Sequence, residues 1–317
     1  MAENKSDELM VLAAWMFGDD GLTHQEIASK LHLSRVAVTR LLQRARREGI
    51  LQIKITKPLP LQYELERRLQ KTFALKSAIV VKTRGSLDET LDEIGRAGAG
   101  HLDQILFPKC RLGVGWSRTV SRMAPYLVKP AKPVNCVVND LAGSVLDPQH
   151  PYSISWHIAQ VLAAKVEALP APVVVNSAEA RQALLNEPAI STAMEHARQC
   201  DIAIVGLGDL EPDCTLVRTG FMSSAQRTDL QAHGAVGDIL MRFFDASGRY
   251  VSSPLDPRVI SLTRPEIERI PYVVVLGAGP TKIDAIVGAL RGRLCHGIIL
   301  DTDTAEQVLE RAERSQG

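Results

Sequence analysis

Several things are missing from this chain, and each absence removes a class of function. No apolar run is long enough to span a bilayer. The first ten residues, MAENKSDELM, have neither the basic start nor the apolar stretch of a secretory signal. The expectation is therefore a cytoplasmic protein with no membrane partner. Cysteine is sparse and odd in number: Cys110, Cys136, Cys200, Cys214 and Cys295. None forms a C-x-x-C pair, so neither a disulfide frame nor a zinc site is indicated, and the thiols are expected reduced and mostly buried. No metal and no cofactor is expected. Internal repeats and low-complexity segments are absent, and so is any overall charge excess, the formal net charge being +1.

What is present is material for about two domains, in 317 residues of which 45% are hydrophobic. The balanced charge hides one local shortage of acid. Between Lys30 and Lys57 stand eight lysines and arginines and a single acid, Glu48, whereas Met1 to Ser29 holds six acids and one base, Lys5. Positive charge concentrated on one short segment is what phosphate binding requires.

That segment overlaps THQEIASKLHLSRVAVTRLLQRARREG, Thr23 to Gly49. Thr23 with Glu26 has capping-box spacing, Ser34 can cap a second helix, and Gly49 stands where a left-handed stop belongs. Leu31-His32-Leu33 is left as a short turn. The pattern predicts a helix-turn-helix, whose second helix enters the DNA major groove. Val38, Leu41, Leu42 and Ala45 make its buried stripe. Val36, Arg40, Gln43 and Arg47 fall opposite, Thr39 and Arg44 flank them, and Arg35 follows the cap. Arginine and glutamine read base edges or hold phosphates, and valine and threonine contact thymine methyls. The candidate DNA-binding set is thus Thr23, Ser34, Arg35, Val36, Thr39, Arg40, Gln43, Arg44 and Arg47.

A first helix is expected over 7–18, with Leu9, Leu12, Ala13 and Met16 sharing the packed face. After the reading helix, Ile50–Ile55 reads as a strand or small wing, with Lys54 and Lys57 in reach of the DNA backbone. Pro58 and Pro60 mark a boundary. Residues 61–74 form an amphipathic helix through Leu61, Leu65, Leu69 and Phe73, which either caps the next domain or pairs between subunits. The expected division is 1–57 for DNA binding, 58–76 for a linker or oligomerisation helix, and 77–317 for an effector domain.

From Ser77 onward short apolar runs alternate with helical stretches. The runs are Ala78–Val81, Arg111–Gly115, Val134–Val138, Pro172–Val175, Ile202–Gly206, Ala235–Leu240, Tyr272–Gly277 and Gly297–Leu300. Ser155–Leu169 and Lys282–Leu290 have helical length. This alternation predicts a Rossmann-like α/β domain, its largely parallel sheet covered on both faces, with ligands beyond the carboxyl ends of the strands. Several runs end in glycine and a polar residue: Gly115-Trp116-Ser117-Arg118-Thr119, then Asn139 to Ser144, Gly206 to Asp209, and Gly277 to Lys282. Asp238 places an acid inside an apolar run, where it needs a hydrogen-bonding partner.

These stretches together resemble the SorC family of sugar-binding transcriptional regulators, also grouped with DeoR-type regulators. The resemblance lies in LTHQEIASKLHLSRVAVTRLLQRARREGIL, RLGVGWSRTV, LPAPVVV, DIAIVGLG, GAVGDILMRFFDASG, and GAGPTKIDAIVGALRG with ILDTDTA, in the family's order. It implies an effector domain of the sugar-phosphate isomerase/deaminase type, a homo-oligomer (dimer or tetramer), and an affinity for double-stranded operator DNA that changes when a sugar, sugar phosphate or polyol binds. Carried over residue by residue, it implies an effector pocket of Gly115, Trp116, Ser117, Arg118, Thr119, Gly143, Gly208, Asp238 and Lys282. Asp238 would accept from hydroxyls, and Lys282 with Ser117 and Thr119 would face an anionic end. Trp116 and Arg118 are bulkier than such loops ordinarily carry, so an unphosphorylated polyol or a sugar acid stands beside a sugar phosphate. The alternative is an isomerase or aminosugar-deaminase enzyme. Such enzymes carry an Asp-Gly-His run after a glycine-rich strand end, where this chain has Gly206-Leu207-Gly208-Asp209 without histidine, so no catalytic residue is assigned.

Overall fold

The computed structural model describes residues 2–52, 59–130, 133–144 and 154–314. The chain separates into two units, Met1–Leu59 and Pro60–Gly317.

The first unit holds three helices: α1 (Ala2–Gly18), α2 (His24–Leu31) and α3 (Arg35–Arg47). Thr23 and Glu26 complete the expected capping box on α2, and His32 closes that helix in the left-handed region at φ 55°. The Ser34 side chain accepts from the Ala37 N–H at 3.1 Å, and Gly49 (φ +74°) lets the chain leave α3. Ile27 and Ala28 of α2 meet Val38, Leu42 and Ala45 of α3 in one small core. The packed face of α1 follows the expectation in part. Ala13 is buried and Met16 packs on the core as expected, but Met10 and Ala14 are buried and Phe17 packs with them, while Leu12 is exposed with Val11 and Trp15. In a helix with apolar residues on several sides, periodicity alone leaves the inward face ambiguous by one position. Residues 50–52 are not strand, and the rest of the expected wing, with Lys54, Lys57 and Pro58, lies outside the described residues.

In the second unit, α4 (Leu61–Phe73) buries Leu65 and Leu69. Its Glu66 accepts from the Val80 N–H at 3.0 Å, and Arg68 pairs with Glu313 at 2.9 Å. The helix thus packs on this unit's own sheet. Seven strands form that sheet: β1 (Ser77–Val81), β2 (Arg111–Val114), β3 (Val137–Asp140), β4 (Lys165–Glu167), β5 (Ile202–Gly206), then, after a separate ribbon, Tyr272–Leu276 and Gly297–Asp301. The ribbon is β6 (Gly208–Asp209), β7 (Ala235–Ile239) and β8 (Arg242–Asp245), all antiparallel; the last two sheet strands are accordingly β9 and β10.

All neighbouring strands of the main sheet run parallel, in the order β1-β10-β9-β5-β2-β3-β4. Alternate residues feed two different cores. Ile202 and Ile204 of β5, with Val274 and Leu276 of β9, join one cluster under α5 (Leu87–Ile105). Ala203 and Val205, with Val273 and Val275, join the cluster on the other face. Burial on both faces explains why these strands read as continuous apolar runs.

Three expectations fail locally. The Ser155–Leu169 helix stops at Leu162, and Lys165–Glu167 turns into the edge strand β4. Pro172–Val175 makes only isolated bridges, Ser144 to Pro172 and Val174 to Val259. The Ala235–Leu240 run belongs to the ribbon, paired with an unforeseen strand, β8.

Strand order fixes where a ligand can sit. From β2 the chain moves outward through β3 to β4, then returns to the opposite side of β2 as β5. The crevice beyond the carboxyl ends of β2 and β5 is therefore a topological switch point. Among the described residues, no helix is long and apolar enough to cross a membrane.

Candidate functional site

Each unit carries one candidate site. In the first, α3 turns Arg35, Val36, Arg40, Gln43 and Arg47 to solvent. The side chains of Arg35, Arg40, Gln43 and Arg47 make no hydrogen bond or ion pair among the described residues. The other four expected DNA contacts are engaged with the protein. Thr23 and Ser34 cap their helices. The Thr39 hydroxyl donates to the Arg35 carbonyl at 3.0 Å and lies 3.0 Å from His24 Nδ1. Arg44 pairs with Glu48 at 2.6 Å and with Asp7 at 2.8 Å.

In the second unit, a cavity of about 300 Å³ opens at the switch point. Trp116 to Thr119 line it from the end of β2, Gly206 to Asp209 from β5 and β6, Asp238 from β7, and Ala278, Thr281 and Lys282 from the loop after β9. The sequence thus brought most of the expected residues together. Two do not line the cavity. Gly115 lies beneath it, where an added Cβ would come within 2.8 Å of the Leu240 side chain. Gly143 sits at a separate small crevice with Asp140, Ser144 and Ile154. Its N–H donates to the Ile260 carbonyl at 2.9 Å, and a Cβ there would meet the Ala171 carbonyl at 2.6 Å. That glycine is needed for close packing of the chain.

Glycine elsewhere makes room for the polar groups. A Cβ on Gly206 would collide with the Ser117 hydroxyl, and one on Gly208 with the Asp238 carboxylate. Ser117 accepts from the N–H groups of Thr119 (3.1 Å) and Val120 (3.4 Å), capping the one-turn helix α6 (Arg118–Ser121). Asp238 pairs in register with Gly208 and accepts from the Met241 N–H at 2.8 Å. It is only 6% exposed, and this burial pushes its carboxyl up to about 6, against the pull of the Met241 N–H and Lys282. Lys282 is not free: Nζ donates to the Leu207 carbonyl at 2.6 Å and pairs with Asp209 at 3.0 Å. Arg118 and Arg218, by contrast, line the cavity exposed, and their side chains make no hydrogen bond or ion pair among the described residues.

Sequence reasoning missed Arg218, on the short helix Thr215–Arg218, and the apolar wall of Leu87 and Leu91. A four-residue helix leaves no periodic signal. Asp209 was visible after a glycine pair, but its hold on Lys282 joins positions far apart in the chain. Among the described residues no histidine lines the cavity.

Comparison with known proteins bears on both sites. Residues 57–310 match the family described as "Putative sugar-binding domain", and residues 16–48 match "Sigma-70, region 4", a helix-turn-helix module. The chain is 32% identical over 310 residues to the transcriptional regulator LsrR of Enterobacter sp. (strain 638), covering 96% of this chain and 94% of that one. It is 28% identical to the sorbitol operon regulator of Klebsiella pneumoniae, covering 97% and 100%. The crystal structure of full-length SorC from Klebsiella pneumoniae superposes with a TM-score of 0.74 at 26% identity, over 95% of this chain and 98% of that one. These relatives are regulators of transcription and not isomerases or deaminases. On the span of the sugar-binding match and the end-to-end likeness to such regulators, the chain belongs to the SorC family of sugar-binding transcriptional regulators.

Proposed function

We propose that this protein binds operator DNA through the open face of α3, as a homo-oligomer. Its affinity for that DNA is set by a small sugar, sugar phosphate or polyol held in the cavity at the switch point. It controls a carbohydrate or polyol utilisation operon. The observation that carries the effector half is Asp238, a buried carboxylate lining the cavity, where hydroxyl donors would offset the cost of keeping its charge out of water. Asp238 accepts from sugar hydroxyls on one side. Arg118 and Arg218 at the rim suit an anionic end, and Lys282, held by Asp209, keeps the wall polar. The effector acts by binding one arrangement of subunits more tightly than another, which shifts the spacing of paired reading helices. Two-fold sites require half-sites near integral turns, about 34 Å apart or a multiple.

The test is gel-shift titration of the DNA upstream of the gene and its neighbours, with and without a panel of sugars, polyols and their phosphates. A specific complex that one compound class weakens or strengthens supports the reading. A specific complex insensitive to every compound removes the effector half; no complex at low salt removes the DNA half.

A further inference from the structure

We infer that Val36 is a base-reading residue, covering the C5 methyl of a thymine in each operator half-site within about two base pairs of the base that Arg40 reaches. The inference rests on the DNA-binding reading above. Val36 is 61% exposed, the only large hydrophobic left open on α2 or α3. Among the described residues nothing in the unit's own packing explains it, because the buried stripe of α3 is Val38, Leu42 and Ala45 on the other side. Helix stability does not explain it either, since a β-branched residue is a poorer helix former than alanine.

Its position is the first turn of α3, the part of a reading helix that meets base edges. One turn further on the same side, the Thr39 hydroxyl is engaged by the Arg35 carbonyl and His24, and the open group beside Val36 in the first turn is the charged Arg35. Val36 therefore presents the open apolar surface there. Of everything a base pair displays in the major groove, the thymine methyl alone is apolar. Against any other edge, valine would strip water from donors and acceptors and return no hydrogen bond. Against a methyl it gains contact while losing little rotamer freedom, because its χ1 is already restricted. One helical turn separates Val36 from Arg40, about 6 Å along the axis, and base steps are about 3.4 Å apart. That spacing sets the two-base-pair limit.

The experiment uses the full chain. A duplex is enriched from a random-sequence pool, and each thymine of the best duplex is replaced in turn by deoxyuridine, which lacks only the methyl. Affinities are measured by fluorescence anisotropy at one fixed salt concentration. One replacement per half-site should weaken wild-type binding about fourfold, the scale of one buried methyl group. Val36→Ser should bind the thymine and deoxyuridine duplexes equally, and Val36→Ile should keep the difference. The inference is overturned if no thymine shows a penalty, or if the penalty survives in Val36→Ser. Should the pool yield no preferred sequence, the DNA-binding reading itself fails, a result distinct from an enriched site with no methyl-sensitive thymine.

Discussion

On α3, Arg35, Arg40 and Arg47 stand in solvent without a hydrogen bond or ion pair among the described residues. In the effector unit, three cations drawn toward the interior are held by carboxylates. Arg111 meets Glu167 at 2.7 Å, Arg242 meets Asp256 at 2.9 Å, and Lys282 meets Asp209 at 3.0 Å. A buried cation without its carboxylate would be strongly destabilising, so pairing there is a condition of folding. An exposed cation carries no such demand and can serve an outside anion. The cavity contains both kinds, with Lys282 held and Arg118 and Arg218 open at its rim. On the function proposed above, the held charges do structural work and the open ones recognition.

The largest expected effect comes from the group that fits neither class. Asp238 is buried, and its carboxylate makes no ion pair among the described residues. Its carboxyl takes up a proton near pH 6 in the folded chain against 3.8 ordinarily, mainly because burial disfavours the charge. The ionised form therefore penalises the folded state above about pH 6, and the penalty fades as pH falls toward the ordinary carboxylate range. Asp238→Asn should raise stability at pH 8 by up to about 3 kcal/mol and abolish the response of DNA binding to effector. Urea unfolding at pH 8 and pH 4 measures the first effect, which should be much smaller at the lower pH. No gain at pH 8 would mean that Lys282 and the Met241 N–H offset the burial of the charge in full.

That carboxylate was legible in the sequence because an acid inside an apolar run stands out, and so were the caps of α2 and α3, which are set within four residues. The strands of the main sheet were legible because both of their faces are buried. Less local facts were not. The inward face of α1 turned by one position, since Val11, Leu12 and Trp15 are as apolar as the residues that pack. The edge strand Lys165–Glu167 looked helical because one valine between lysine and glutamate is a weak strand signal and its pairing with β3 is nonlocal. Gly143 sat in a promising loop, yet only the chain's return at Ala171 reveals why it is glycine. Which cations are held, and which open, depends on partners distant in sequence.

On the reading helix, Arg40→Ala should weaken DNA binding by about 1–3 kcal/mol if the contact is to a base, with relaxed preference at that position. If the contact is to phosphate, the loss should be uniform across sequences, and the slope of affinity against salt should fall by about one. Anisotropy titrations at several salt concentrations separate the two. Unchanged affinity would break the link between open charge and recognition. At the cavity rim, Arg118→Ala should weaken an anionic effector by roughly threefold to tenfold, less than a full charge-assisted hydrogen bond because the site is exposed to water. Calorimetry with a neutral polyol supplies the control, since an equal loss there would make Arg118 a shaping residue and not an anion ligand.

Arg44 offers the smallest effect and the finest division. It shares α3 with Arg40 and has the same charge, but Glu48 and Asp7 already hold it, at 2.6 and 2.8 Å. If held charges take no part in recognition, Arg44→Ala should weaken DNA binding by less than about twofold, within the range of exposed ion pairs. Asp7→Asn and Glu48→Gln would then remove the two negative charges that compete with DNA for the guanidinium, and the double variant should bind DNA more tightly than wild type, most clearly at low salt. Should Arg44→Ala instead match Arg40→Ala, the two carboxylates must yield Arg44 to phosphate when DNA arrives. The boundary between held and open charge would then belong to the free protein alone, and Asp7 and Glu48 would act as competitors that set how readily the helix engages.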